Sequence, residues 1–182
     1  VVFVVMCFAV FWGTIFPVIS EAVRGTKITV GAPFFNQINI PIGLILLFLT
    51  GVGPLLAWRN TSKESLIKNF TFPLIVAFII VGLLLALDIT GNAMMTLSLS
   101  GFVFTTIVIE FWRGIRARTR KFDESIISAF IKLIQKNRSR YGGYISHLGI
   151  VLMFVGFSGH AFDIEDEWGL QIGAKETVGN YE

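Results

Sequence analysis

Five stretches of this chain are apolar for long enough to cross a membrane, and a soluble domain of this size has nowhere to bury them all. They run over about 1–19, 41–58, 70–87, 93–112 and 144–162, each near the roughly 20 residues that a helix needs to span the hydrocarbon core. Composition agrees with that reading. Charged residues make up 15% of the chain and the mean hydropathy is +0.73, whereas an average soluble domain carries about 25% charge. The expected fold class is an all-α polytopic membrane protein, with residues 1–162 as its transmembrane helical domain.

Five crossings place the two ends on opposite sides, so the connections fall into two alternating sets. One set carries Arg59, Lys63, Lys68 and the nine Lys and Arg residues between Arg113 and Arg140, twelve in all, against three (Arg24, Lys27, Lys175) in the other. Basic residues stay on the cytoplasmic side of short loops, which puts the first set inside and the C-terminal tail outside. The charge excess therefore reports orientation and gives no sign of a nucleic-acid partner. Within the cytoplasmic segment 113–140, Ile126, Ile127, Phe130, Ile131 and Ile134 recur at helical spacing, with Lys132 and Lys136 on the other side and Asp123 able to cap the start. This predicts an amphipathic interfacial helix that helps fix orientation and contacts anionic membrane lipid.

The outer elements differ in character. Gly31-Ala-Pro-Phe-Phe-Asn36 reads as a turn with interfacial aromatics resting on the membrane surface. Residues 163–182 are rich in carboxylates, and Leu170-Gln-Ile172 and Thr177-Val178 alternate around glycines, which suggests the start of a small, β-rich outer domain. Because the chain opens inside an apolar run without Met and stops within that segment, it reads as an internal or C-terminal piece of a longer polytopic protein.

Few residues can carry chemistry. His147 lies inside the last apolar stretch, and an ionisable side chain within a span marks a functional site by default. Two readings stand at this point: a histidine hydrogen-bonded to a neighbouring span, or a ligand of haem iron. His160 is thirteen residues further on, about 20 Å along a continuous helix, so the two cannot grip one metal ion. It reads as an interfacial polar residue. Met94 and Met95 begin their span at the other surface and are poor partners for His147. Gly142, Gly143, Gly149, Gly156 and Gly159 make the last span accommodating to another helix or to a flat macrocycle. Glu110 stands three residues before Arg113, which favours an interfacial ion pair over a proton-handling carboxylate, while Tyr141 and Tyr144 read as interfacial aromatics and Asp88 as solvated. Cys7 is the single cysteine, so a disulfide framework or dithiol motif is excluded. No phosphate-cradling loop, zinc-spaced cluster or nucleophilic triad is present to support hydrolase or nucleotide-driven chemistry.

Several motifs fall in a telling order: Thr14-Ile-Phe-Pro17, Gly31-Ala-Pro-Phe-Phe-Asn36, Gly51-Val-Gly-Pro-Leu-Leu-Ala-Trp-Arg59, Glu110-Phe-Trp-Arg113 and Arg140-Tyr-Gly-Gly-Tyr-Ile-Ser-His-Leu-Gly149. In this arrangement the chain resembles the C-terminal half of the CcmF family of cytochrome c-type biogenesis proteins, which includes a paralogue serving a nitrite reductase cytochrome. The resemblance implies a haem-handling subunit of the haem lyase that joins haem to the Cys-x-x-Cys-His motif of apocytochrome c. It further implies His147 as one axial ligand of a transmembrane haem b. The implied partners are apocytochrome c, a membrane-anchored haem chaperone and a thiol-handling maturation protein, at a bacterial inner membrane rather than a mitochondrial one. The family's Trp-rich loop for the substrate haem, with its flanking histidines, is not among these residues, nor is the helix bearing the second ligand of haem b. Accordingly, no catalytic residue is assigned here. The rival expectation is a transporter or channel fragment with a polar path near His147 and Glu110, although the paired broken spans common in such proteins are absent; a purely structural scaffold is a third.

Overall fold

The computed structural model describes residues 1–55 and 63–159, and these form six helices: α1 (Val2–Arg24), α2 (Ala32–Leu55), α3 (Lys63–Ala86), α4 (Gly91–Phe122), α5 (Ile126–Lys136) and α6 (Arg138–Ser158). All but α5 have the length and hydropathy of a membrane span. The chain is an integral membrane protein, and its exterior fits that setting: Phe3, Phe8, Phe11, Phe72, Phe78, Leu83 and Leu152 all lie exposed on the bundle surface, where lipid replaces water as the favourable neighbour.

Helix α4 is the axis around which α2, α3, α5 and α6 pack. Its 32 residues measure about 48 Å at 1.5 Å per residue, well beyond a hydrocarbon core of about 30 Å. The surplus is the basic stretch Arg113–Lys121, which the sequence pattern places in a loop and which instead continues the helix. Nothing between Glu110 and Phe122 breaks the helix: there is no proline, and Gly114 is isolated. Apolar side chains at its centre are sealed, with Phe102, Val103 and Ile107 joining Leu47 and Leu55 of α2 and Val151 of α6 in one cluster.

Close approach at these crossings depends on glycine. A Cβ at Gly51 would sit 2.8 Å from the Phe102 ring and 2.9 Å from Val103, and one at Gly13 would sit 2.7 Å from the Phe34 ring. Small residues that let helices approach are the usual substitute for hydrophobic driving force between spans. Threonine hydroxyls inside the spans are satisfied locally, as when Thr50 donates to the Leu46 carbonyl and Thr105 to that of Gly101.

Four expectations need correction. Gly31–Asn36 is not a surface turn: α2 starts at Ala32, and its Pro33 stands in the first helical turn, where a missing N–H costs little. Phe34 and Phe35 turn inward onto Gly13. Asp123 does not cap α5; it ends α4 in the left-handed region (φ 53°), and Ser125 caps α5 by accepting a hydrogen bond from the Ser128 N–H at 3.4 Å. Tyr141-Gly-Gly-Tyr144 is helical, so α6 begins at Arg138 and His147 lies two and a half turns inside it. Finally, Tyr141 and Tyr144 are buried rather than interfacial. The expected outer β-rich segment, 163–182, lies outside the described residues, as does His160.

Candidate functional site

At the basic end of the bundle, α4, α5 and α6 lock together around aromatic side chains. Phe111 of α4 packs on Phe130, Tyr141 and Tyr144 with ring centroids 5.2–6.1 Å apart. The Tyr141 hydroxyl and Leu133 close over Gly114, leaving no room there for a side chain. Short α5 is pinned beneath α4 by Glu124, whose carboxylate accepts from Arg118 at 2.8 and 3.2 Å and from Lys132 at 2.8 Å. Those two cations hold its pKa down at about 2, against an ordinary 4.5. Ala129 and Leu133 face the bundle, whereas Ile126, Ile127 and Ile131 stay exposed.

Above this junction, Glu110 gathers partners from α4 and α6. Its residue is 7% exposed, so its carboxylate needs partners. Arg113 donates to Oε1 at 3.2 Å, Arg140 to Oε2 at 2.6 Å, and the Tyr144 hydroxyl to Oε2 at 3.4 Å. Each arginine is held a second time, Arg113 by the Asn69 side-chain oxygen at 2.6 Å and Arg140 by the Tyr144 hydroxyl at 3.0 Å. The i, i+3 pair expected at Glu110 and Arg113 is present. Its extension to Arg140, Tyr144 and Asn69 was missed, because those residues come from α6 and α3 and only tertiary packing brings them in.

His147 opens onto the same place. Arg140, Gly143, Tyr144 and His147 follow the i, i+3, i+4, i+7 spacing that aligns side chains on one helical face. Together with Glu110, Arg113, Asn69 and the Gly53-Pro-Leu55 end of α2, they line a groove of about 650 Å³. That volume lies within the 300–1,000 Å³ typical of ligand and cofactor sites. The His147 Nδ1 is buried and has no hydrogen-bond partner. An unmet ring nitrogen of this kind costs on the order of 1–3 kcal/mol, and among the described residues no neighbouring span satisfies it. A Cβ at Gly143 or, across the groove, at Gly53 would meet nothing within 4 Å, and the same holds at Gly142, Gly149, Gly156 and Gly159, which lie away from His147 around α6. Among the described residues, then, the small-residue face of α6 receives no helix.

The groove's donor set suits a planar, carboxylate-bearing macrocycle. One imidazole is available for an iron, two walls lack side chains, and two guanidiniums stand at the mouth. Met94 and Met95 do not belong to it; they border a separate apolar groove with Leu44 and Phe48. Among the described residues no cluster of three or more His, Cys, Asp or Glu side chains could hold a metal ion.

Helices and site together define a polytopic membrane protein with a histidine-bearing groove at its basic end. Comparison with curated proteins narrows this. The chain is 24% identical over 174 residues to the cytochrome c-type biogenesis protein CcmF of Haemophilus influenzae, covering 95% of this chain and 26% of that protein. It is 29% identical over 180 residues to the cytochrome c-type biogenesis protein CycK of Rhizobium meliloti, covering 93% of this chain and 25% of that protein. It is 25% identical over 184 residues to the cytochrome c-type biogenesis protein NrfE of Haemophilus influenzae, covering 94% and 25%. The chain is CcmF-like along most of its length, and it spans about a quarter of the length of these relatives. No protein-family model and no solved structure matches it.

Proposed function

We propose that this chain serves the haem lyase step of cytochrome c maturation, as part of the membrane subunit that helps attach haem to the Cys-x-x-Cys-His motif of apocytochrome c. His147 is the axial ligand of a transmembrane haem b lodged in the groove at the basic end. The observation that carries this reading is the half-buried imidazole lining a cofactor-sized groove, its Nδ1 buried and without a partner. The resemblance to cytochrome c-type biogenesis proteins supports haem as the group.

When bound, haem supplies a one-electron couple. The chain's own residues do the rest: His147 gives a lone pair, Gly53 and Gly143 leave the faces of the groove clear, and Glu110 fixes the arginines at its mouth. The second axial ligand and the site for the substrate haem come from outside the described residues. The basic end faces the cytoplasm of a bacterial inner membrane, with the tail beyond α6 periplasmic. On the outer face the protein meets apocytochrome c, a membrane-anchored haem chaperone and a thiol-handling partner, and on the inner face α5 lies on anionic lipid.

The test is the visible spectrum of the intact protein purified in detergent. A reduced b-type α-band is expected in the wild type, and its loss or marked weakening in His147→Ala at unchanged helical content. A full-strength, unshifted band in a well-folded His147→Ala protein would remove the assignment.

A further inference from the structure

Glu110 neutralises only one of the two guanidiniums it holds. Arg113 and Arg140 each place a side chain in the groove that His147 lines, and the three charges sum to +1. A guanidinium carries five N–H donors. Arg140 has committed two of them, one to Glu110 and one to Tyr144, and Arg113 two, to Glu110 and Asn69. The rest have no partner among the described residues, and the side chains are 59% and 44% exposed. Because Glu110, Tyr144 and Asn69 fix both arginines, their unused donors are pre-organised, which lowers the ordering cost of binding an anion. Surplus positive charge next to an otherwise apolar span asks for an anionic partner in the groove itself.

Spacing identifies which part of a ligand that would be. His147 and Arg140 are seven residues apart on one face of α6, about 10.5 Å along the helix at 1.5 Å per residue, and Arg140 is the one nearer the basic end. A porphyrin held by His147 at its centre has its two carboxylates at one edge, within reach of that distance.

We infer that Arg113 and Arg140, clamped by Glu110, form the receptor for the porphyrin's two propionate carboxylates. This rests on the assignment of His147 as haem ligand and deepens it, because it fixes the orientation of the macrocycle. The carboxylate edge points to the basic end and the vinyl edge into the bilayer. Planar guanidiniums suit carboxylates through paired N–H···O bonds, so the pair selects a diacid over an uncharged porphyrin of the same shape.

The experiment compares haem with its dimethyl ester, which keeps the iron and ring but carries no charge at that edge. Both are titrated into the intact apoprotein in neutral detergent, and binding is read from the Soret band. The wild type is expected to bind the diacid at least tenfold more tightly than the diester. In Glu110→Gln/Arg140→Gln, which removes both members of the ion pair and so leaves no buried carboxylate unpaired, that preference, read as the ratio of the two affinities, falls to threefold or less. Arg113→Gln gives a second, independent loss of preference. Equal affinity of the wild type for both porphyrins, with both dependent on His147, overturns the propionate assignment and leaves the ligand assignment intact; the arginines would then serve another anion, such as a lipid phosphate. An undiminished preference in both variants also overturns it. Failure of both porphyrins to bind the wild type overturns both readings.

Discussion

At the scale of single residues, the basic end is organised by two carboxylates in different settings. Glu124 lies between α4 and α5, and its pKa of about 2 against an ordinary 4.5 makes its ion pairs a pH-dependent clasp. Because the folded value is the lower one, its contribution is fully present above pH 4.5 and is lost as the pH falls from there through about 2. Amide hydrogen exchange across 123–136, corrected for intrinsic rates, should therefore quicken between pH 5 and pH 3. In Glu124→Gln it should be fast already at pH 6 and nearly independent of pH. Glu110 is the more buried of the two, and its loss leaves two arginines without their shared partner. Glu110→Ala should destabilise the bundle by about 1–3 kcal/mol in equilibrium unfolding from mixed micelles, less than a fully buried pair would cost because both guanidiniums reach solvent. No change in stability would mean that the arginines find equivalent partners elsewhere.

At the scale of helices, packing depends on where glycine admits a neighbour. A Cβ at Gly51 or Gly114 would overlap Phe102 and Val103, or Leu133 and the Tyr141 hydroxyl, whereas one at Gly82 would meet nothing within 4 Å. Gly51→Ala and Gly114→Ala should each lower stability by about 1–3 kcal/mol through overpacking. Gly82→Ala should leave thermal unfolding in micelles unchanged or slightly raised, since Ala is the better helix former. The elements themselves were legible in the sequence, because a run of 20 apolar residues leaves few alternatives and the recurrence of Ile126, Phe130 and Ile134 has helical period. Boundaries were less so. Hydropathy marks where a helix leaves the apolar core and not where it ends, so the polar extensions Arg113–Phe122 and Arg138–Gly143 were placed in loops although both are helical. Tyr141 and Tyr144 were assigned to the interface for the same reason: composition cannot show that α5 and Phe111 cover them.

At the scale of the whole molecule, the uneven distribution of Lys and Arg predicts an orientation that thiol labelling can read. With Cys7 replaced by Ser, a cysteine introduced at Thr29 should react with a membrane-impermeant maleimide added outside, and one at Ser128 should react only after permeabilisation. The opposite pattern would invert the topology and place the groove on the outer side. His147 could be singled out from sequence because a histidine inside a span is conspicuous. Its setting could not, since the groove is assembled from α2, α3, α4 and α6, and no local pattern announces that the ring nitrogen lacks a partner. The central claim is the bond from that ring to haem iron, and cavity rescue tests it most directly. His147→Gly, purified in detergent and given haem, should lack the reduced b-type α-band and regain it when free imidazole is added to fill the vacated position. A b-type band of full strength in His147→Gly before any imidazole is added would contradict the account.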